Sequence, residues 1–210
     1  MTTQLILYNI ALGELGERKA TAITDAQEPV RRLNEVWDAG ARKFCLEQGH
    51  WKFAMAEEML DPSLTEIPTF GLRNAFAKPA NFVRLSWMCS DEKFQNPVMD
   101  YQERGSYWYS DLENLYIRYV SMDAALGYDL TTWPETFALF VAYYLAQQAA
   151  GRINPDKQQR IDALLLEAKD NALSKDAVAG ATQLLPQGNW TGVRFNRNRG
   201  RNSNTSLYGS

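Results

Sequence analysis

A chain of 210 residues, 45% apolar and 22% charged, can bury one ordinary core without staples, and its composition excludes wholesale disorder. A formal net charge of −3 excludes a protein whose entire surface grips phosphate, because nucleic-acid affinity rests mainly on neutralised phosphates. Two cysteines, Cys45 and Cys89, exclude a disulfide framework and predict free, partly buried thiols in a reducing compartment.

Leu5, Tyr8, Leu12 and Leu15 recur at helical spacing ahead of Gly16, which predicts an amphipathic helix over residues 3–15. Thr24 with Gln27, or Asp25 with Glu28, offers a capping box for a second helix, and Pro29 suits a first turn. Val30, Leu33, Trp37, Ala41 and Phe44 continue that helix over 25–48, with Gly49 as its stop, and the first two helices are expected to form an antiparallel hairpin.

From Pro62 to Leu130 the helical period vanishes and short aromatic and β-branched runs alternate with polar turns. Four strands are predicted, at 82–88, 98–102, 107–109 and 115–120, with Ser110 to Asn114 turning the last two into a hairpin. The β insert spans about 76–122. A third helix over 133–150 carries Pro134 in its first turn, then Phe137, Val141, Tyr144 and Leu145, and stops at Gly151. A fourth, over 155–178, places Ile161, Leu164, Leu165, Ala168, Ala172 and Val178 on one face. The predicted fold is α+β: a four-helix bundle with a small antiparallel sheet inserted between helices 2 and 3, forming a single domain over 1–180.

Residues 181–210 have no period and read as an extended C-terminal arm. They hold four arginines and no acid, a charge of +4, so the net −3 leaves −7 for residues 1–180. The N-terminus lacks a signal-peptide pattern, and no apolar run approaches the roughly 18 residues of a membrane span, so synthesis and folding in the cytoplasm are expected.

Chemical motifs are sparse. His50 is the single histidine, which excludes sites needing two imidazoles, and Cys45 five residues before it reads better as a buried small hydrophobe than as a nucleophile. Glu57-Glu58 and Asp91-Glu92 are adjacent acids, but adjacency does not make a glycosidase pair, and solvated loops are the simpler reading. No phosphate-cradling glycine loop or nucleophile elbow occurs. Tyr107-Trp108-Tyr109 suits a strand with its tyrosines on one face and Trp108 on the other better than a base-stacking platform, since only Arg104 and Arg118 are basic nearby. No catalytic, cofactor-binding or metal residue is assigned, and none of these chemistries is expected.

The arm is the most informative segment. Trp190, Arg194, Phe195, Arg197, Arg199 and Arg201 combine aromatic anchors with uncompensated cations. An inconsequential disordered tail, a nucleic-acid-binding segment and an arm that orders on a protein partner all remain open; Trp190 and Phe195 favour the last, because Trp and Arg dominate interfaces.

Residues 8–25, from Tyr-Asn-Ile-Ala-Leu-Gly-Glu-Leu-Gly to Ala-Ile-Thr-Asp, and His50-Trp51-Lys52-Phe53-Ala54 resemble the N-terminal hairpin of the tail tubular protein A family, the gatekeeper-type head-to-tail adaptors of short-tailed bacteriophages. Ala77 to Leu85 looks like that family's approach to its sheet, and Leu115 to Tyr119 like its last strand, while His-Trp-Lys departs from the more usual His-Pro-Trp. The resemblance implies a non-enzymatic virion protein that forms a ring of twelve copies beneath the portal and extends the DNA channel toward a tail nozzle resembling tail tubular protein B. Portal, nozzle and self would be its partners, with tail fibres as a further one, and viral DNA would pass without specific binding. The six arm residues would then contact the portal or a neighbouring subunit. The alternative is a DNA-binding assembly factor acting through the same arginines.

Overall fold

The structure, a computed structural model, describes residues 2–179. It is mixed α+β, with five helices and two small antiparallel sheets among the described residues.

Helix α1 (Gln4–Leu15) starts where the Thr3 hydroxyl accepts from the Ile6 amide and ends at Gly16, whose φ of 81° lets Glu17 N–H reach back to the Leu12 carbonyl at 2.8 Å. Leu7, Tyr8, Ala11, Leu12 and Leu15 are buried. The hairpin expectation holds only in part. Tyr8 meets Trp37 edge-on at 6.1 Å and donates to Asn34 at 2.8 Å, but the main partner of α1 is a helix from the other end of the domain.

The predicted capping box does not form. Asp25 instead accepts from the Thr21 and Ala22 amides, bonds that hold its carboxyl below the usual range. Helix α2 (Glu28–Asp38) begins behind Gln27 with Pro29 in its first turn. The predicted single helix over 25–48 is two, because Gly40 adopts φ 103° and the chain turns before α3 (Ala41–Glu47). Arg42 fixes the bend, its guanidinium lying 4.9 Å from the Trp37 ring centre and 4.0 Å from that of Tyr128. Trp51 follows, buried, with its indole N–H donating to the Cys45 carbonyl at 3.1 Å.

The β region starts earlier than 76. Strand β1 (Met55–Leu60) pairs with β6 (Leu115–Ser121), from Met55 opposite Val120 to Leu60 opposite Leu115, and β3 (Phe82–Cys89) pairs with the other side of β6 through two register shifts. The second sheet has the order β2-β5-β4, from β2 (Asn74–Ala77), β5 (Tyr107–Ser110) and β4 (Gln102–Arg104). The predicted hairpin of 107–109 with 115–120 is therefore incorrect: Ser110 to Asn114 carry the chain from one sheet to the other. The predicted strand 98–102 is displaced too. Pro97 bridges Cys89, and only Gln102 of that segment enters β4.

Helix α4 (Glu135–Ile153) runs through Gly151, two residues beyond its predicted stop. A 3-10 turn at Pro155–Lys157 leads into α5 (Gln158–Val178). Ile161, Ala168 and Ala172 are buried as predicted, Leu164 and Leu165 only partly, and Val178 is 85% exposed. Neither α4 nor any other described helix is long and apolar enough to cross a membrane.

Two cores result. The larger joins all five helices through Leu12, Trp37, Leu46, Phe137, Phe140 and Ile161, with Trp51 among them and its ring centre 4.8 Å from that of Phe137. The smaller lies between the sheets around Phe76, Trp108, Leu115, Ile117 and Tyr119. Strand β6 serves both, since Val120 belongs to the first and Ile117 to the second.

Candidate interaction surfaces

The residues that resembled catalytic groups have other partners. Cys45 is fully buried in the helical core, and burial pushes its thiol pKa far up, the state of an inert thiol. His50 is on the surface; partial desolvation and the charge of Arg84 hold its pKa below the ordinary value, against the opposing pull of Asp176. Cys89 is free and buried as well, so both thiols are more deeply enclosed than the sequence suggested.

Glu57 and Glu58 are strand residues, not members of a solvated loop, and the pleat sends them to opposite faces of β1. Glu57 pairs with Arg118, whose Nε donates at 2.7 Å, while Glu58 accepts from the Tyr119 hydroxyl at 3.1 Å. Asp91 closes a turn by accepting from the Gln95 and Asn96 amides, which lowers its pKa. Trp108 is buried between half-exposed Tyr107 and Tyr109, as the alternation predicted. Among the described residues no three His, Cys, Asp or Glu side chains converge as metal ligands do.

The six arm residues, Trp190, Arg194, Phe195, Arg197, Arg199 and Arg201, lie outside the described residues. What is described is the helix that precedes them. Lys52 caps the last turn of α5, its ammonium donating to the Asp176 and Ala177 carbonyls and its backbone N–H to the Asp176 carboxylate at 3.0 Å. A cavity of about 240 Å³ between Trp51, Pro134, Phe137 and Ala172 opens beside that cap.

The sequence reading missed the loop between β1 and β2. Thirteen residues, 61–73, join the two sheets, a length at which loops are usually functional. Leu64, Ile67 and Phe70 stand 93%, 74% and 82% exposed on it. The loop is nevertheless tied down. Ser63 N–H donates to the Ala75 carbonyl at 2.7 Å, Glu66 accepts from the Tyr109 hydroxyl at 3.1 Å, and Arg73 N–H donates to Asp111 at 2.9 Å. The usable signal was an apolar residue at every third position between Pro62 and Pro68 and just beyond, a spacing that prolines prevent from being a helix.

A second surface is a trough along α2, α3 and α4, two contiguous hollows of about 230 and 310 Å³ that share Arg32 and Glu35. One end is apolar, with Val36, Ala39 and a Phe44 ring stacked on Tyr144 at 4.6 Å and 43% exposed. The other is basic, lined by Arg31, Arg32 and Arg152 with Glu28 and Glu35.

No protein-family model matches this sequence, and no curated protein matches it. The exposed apolar side chains of the tethered loop stand beside acids already engaged in strand and turn contacts.

Proposed function

We propose that the chain is a structural assembly subunit: a ring-forming head-to-tail adaptor, its helices packed as a bundle, that joins a phage portal to the tail nozzle and extends the DNA channel. The observation that carries this reading is the tethered loop holding Leu64, Ile67 and Phe70 in solvent, an arrangement that costs solubility and is retained where a partner covers it. The resemblance of residues 8–25, 50–54, 77–85 and 115–119 to tail tubular protein A supplies the ring, its twelve copies, the virion location and the portal and nozzle as partners. The charge division supports it. A body of −7 repels DNA moving through a lumen lined by its acids, while the +4 arm suits carboxylates on a protein neighbour. In this reading the chain is not an enzyme.

Mass and particle shape of the purified protein, alone and mixed with portal rings, test the assignment: a ring appearing on the portal is expected. Deleting residues 181–210 should weaken that binding, with Trp190 and Phe195 as anchors and the four arginines as pairing cations. Unchanged affinity of the truncated chain for the portal would remove the arm from the mechanism. The second reading, a DNA-binding assembly factor, is favoured by the absence of any acid in the arm. Its signature is binding to arbitrary duplex DNA that collapses between low and moderate salt.

A further inference from the structure

We infer that the loop 61–73 of one copy docks into the α2–α4 trough of a second copy, a head-to-tail contact between two different surfaces of the same chain. The inference deepens the ring reading by naming the surfaces that neighbouring subunits share. The loop offers what the trough lacks. Its apolar tips Leu64, Ile67 and Phe70 are exposed, and the trough's apolar end presents the half-exposed Phe44 beside Val36 and the small, exposed Ala39. Large side chains on a tethered loop opposite a hollow lined in part by small residues, Ala39, Gly40 and Ala41, is the shape relation of an anchor and its pocket.

Charge agrees with shape. Asp61 and Glu66 on the loop, with Asp111 and Glu113 on the adjoining turn, outnumber Arg73, so the apolar tip has an acidic border. The trough has the opposite balance: Arg31, Arg32 and Arg152 against Glu28 and Glu35. The Nε of Arg32 is buried without a hydrogen-bond partner among the described residues, and its one ion pair is with Glu35 at 2.7 Å. A surface that repeats itself this way, complementary to a different patch on an identical molecule, is heterologous, and heterologous contacts close into rings when the rotation permits.

Sedimentation velocity of the full chain tests this without any portal present. Wild-type protein should self-associate as its concentration rises toward about 1 mM, the range of small transient contacts. A loop variant, Ile67→Asp with Phe70→Asp, and a trough variant, Ala39→Arg with Phe44→Glu, should each associate at least about tenfold more weakly than wild type. Mixed one to one they should recover association but stop at the heterodimer, because only the intact loop of one and the intact trough of the other remain. Ala39→Arg alone, which leaves the Phe44–Tyr144 stack in place, serves where the double variant lowers the unfolding temperature. A wild type that stays monomeric throughout, variants that associate normally, or a mixture that fails to recover would each overturn the contact. Portal binding of the same variants separates the two ideas: normal rings on the portal from both variants would leave the adaptor reading intact and sink this one.

Discussion

The helical and the sheet regions solve the problem of stability differently. In the helical region Trp51, Phe137 and Phe140 are almost completely buried, Trp133 and Phe53 pack on Phe137 at 4.9 and 4.8 Å, and the same apolar core reaches α2 through Trp37. The sheet region has three strands on either side of a small core and depends visibly on polar contacts, Arg118 with Glu57 and Tyr119 with Glu58 across strands, and Tyr109 with Glu66 from strand to loop. A large apolar core tolerates little rearrangement, whereas sheets with polar faces can hold out a loop of exposed apolar residues. The helices therefore supply the scaffold, and the sheets supply presentation.

The sharpest way to break that arrangement is at the joint between the regions. Gly127 lies between β6 and α4, and a Cβ there would come within 2.0 Å of the Ser121 carbonyl oxygen and 3.1 Å of Leu46. The Gly127 carbonyl also accepts from the Trp133 indole at 2.9 Å. Backbone cannot give way as a side-chain tip can, so Gly127→Ala should cost at least about 3 kcal/mol in urea unfolding and shift both regions, the largest effect expected here. An unchanged midpoint would mean that the loop moves freely and the two cores are not rigidly joined.

Alkaline titration compares the regions next. Tyr8 in the helices and Tyr119 in the sheets are each pushed up to about 12, chiefly because burial disfavours the phenolate; the charge of Glu58 adds to this at Tyr119. Their unfolded value is near 10, so the folded chain holds these protons more tightly than the unfolded one. Their contribution is complete below pH 10 and is lost as pH rises from about 10 to about 12, on the order of 2 kcal/mol for each residue. Tyr8→Phe and Tyr119→Phe should each flatten part of that decline. A decline unaltered in both variants would place the alkaline sensitivity elsewhere.

How much of this could be read in advance depended on whether a residue's neighbours were local. The helices declared themselves through period, yet the break at Gly40 did not, because apolar residues keep their spacing across it, and only the φ of 103° separates α2 from α3. Strand β1 was hidden in Met-Ala-Glu-Glu-Met-Leu, whose residues favour helices; pairing along β6, more than fifty positions away, overrides that preference. The turn at Ser110 to Asn114 was legible as a turn, but turn chemistry does not say which sheet receives the next strand. As for the interaction surfaces, Leu64, Ile67 and Phe70 were visible as apolar residues, and their exposure was not, because burial is a property of what the rest of the chain fails to cover.

The smallest expected effect gives the finest comparison, between one indole in each core. Trp51 and Trp108 are both fully enclosed, so replacing either with Phe removes a similar amount of buried aromatic surface and leaves a similar void. The N–H groups differ. That of Trp51 donates to the Cys45 carbonyl at 3.1 Å, whereas that of Trp108 has no partner among the described residues, although Lys78 lies 5.5 Å above its ring. Trp51→Phe loses a made hydrogen bond and leaves the Cys45 carbonyl with the Gln48 amide alone, at 3.3 Å, while Trp108→Phe relieves a donor whose desolvation nothing offsets. Trp108→Phe should therefore cost about 1 kcal/mol less than Trp51→Phe in chemical unfolding. Equal costs would imply that a water reaches the Trp108 indole, and an amide-exchange measurement would then show β5 opening more readily than α4.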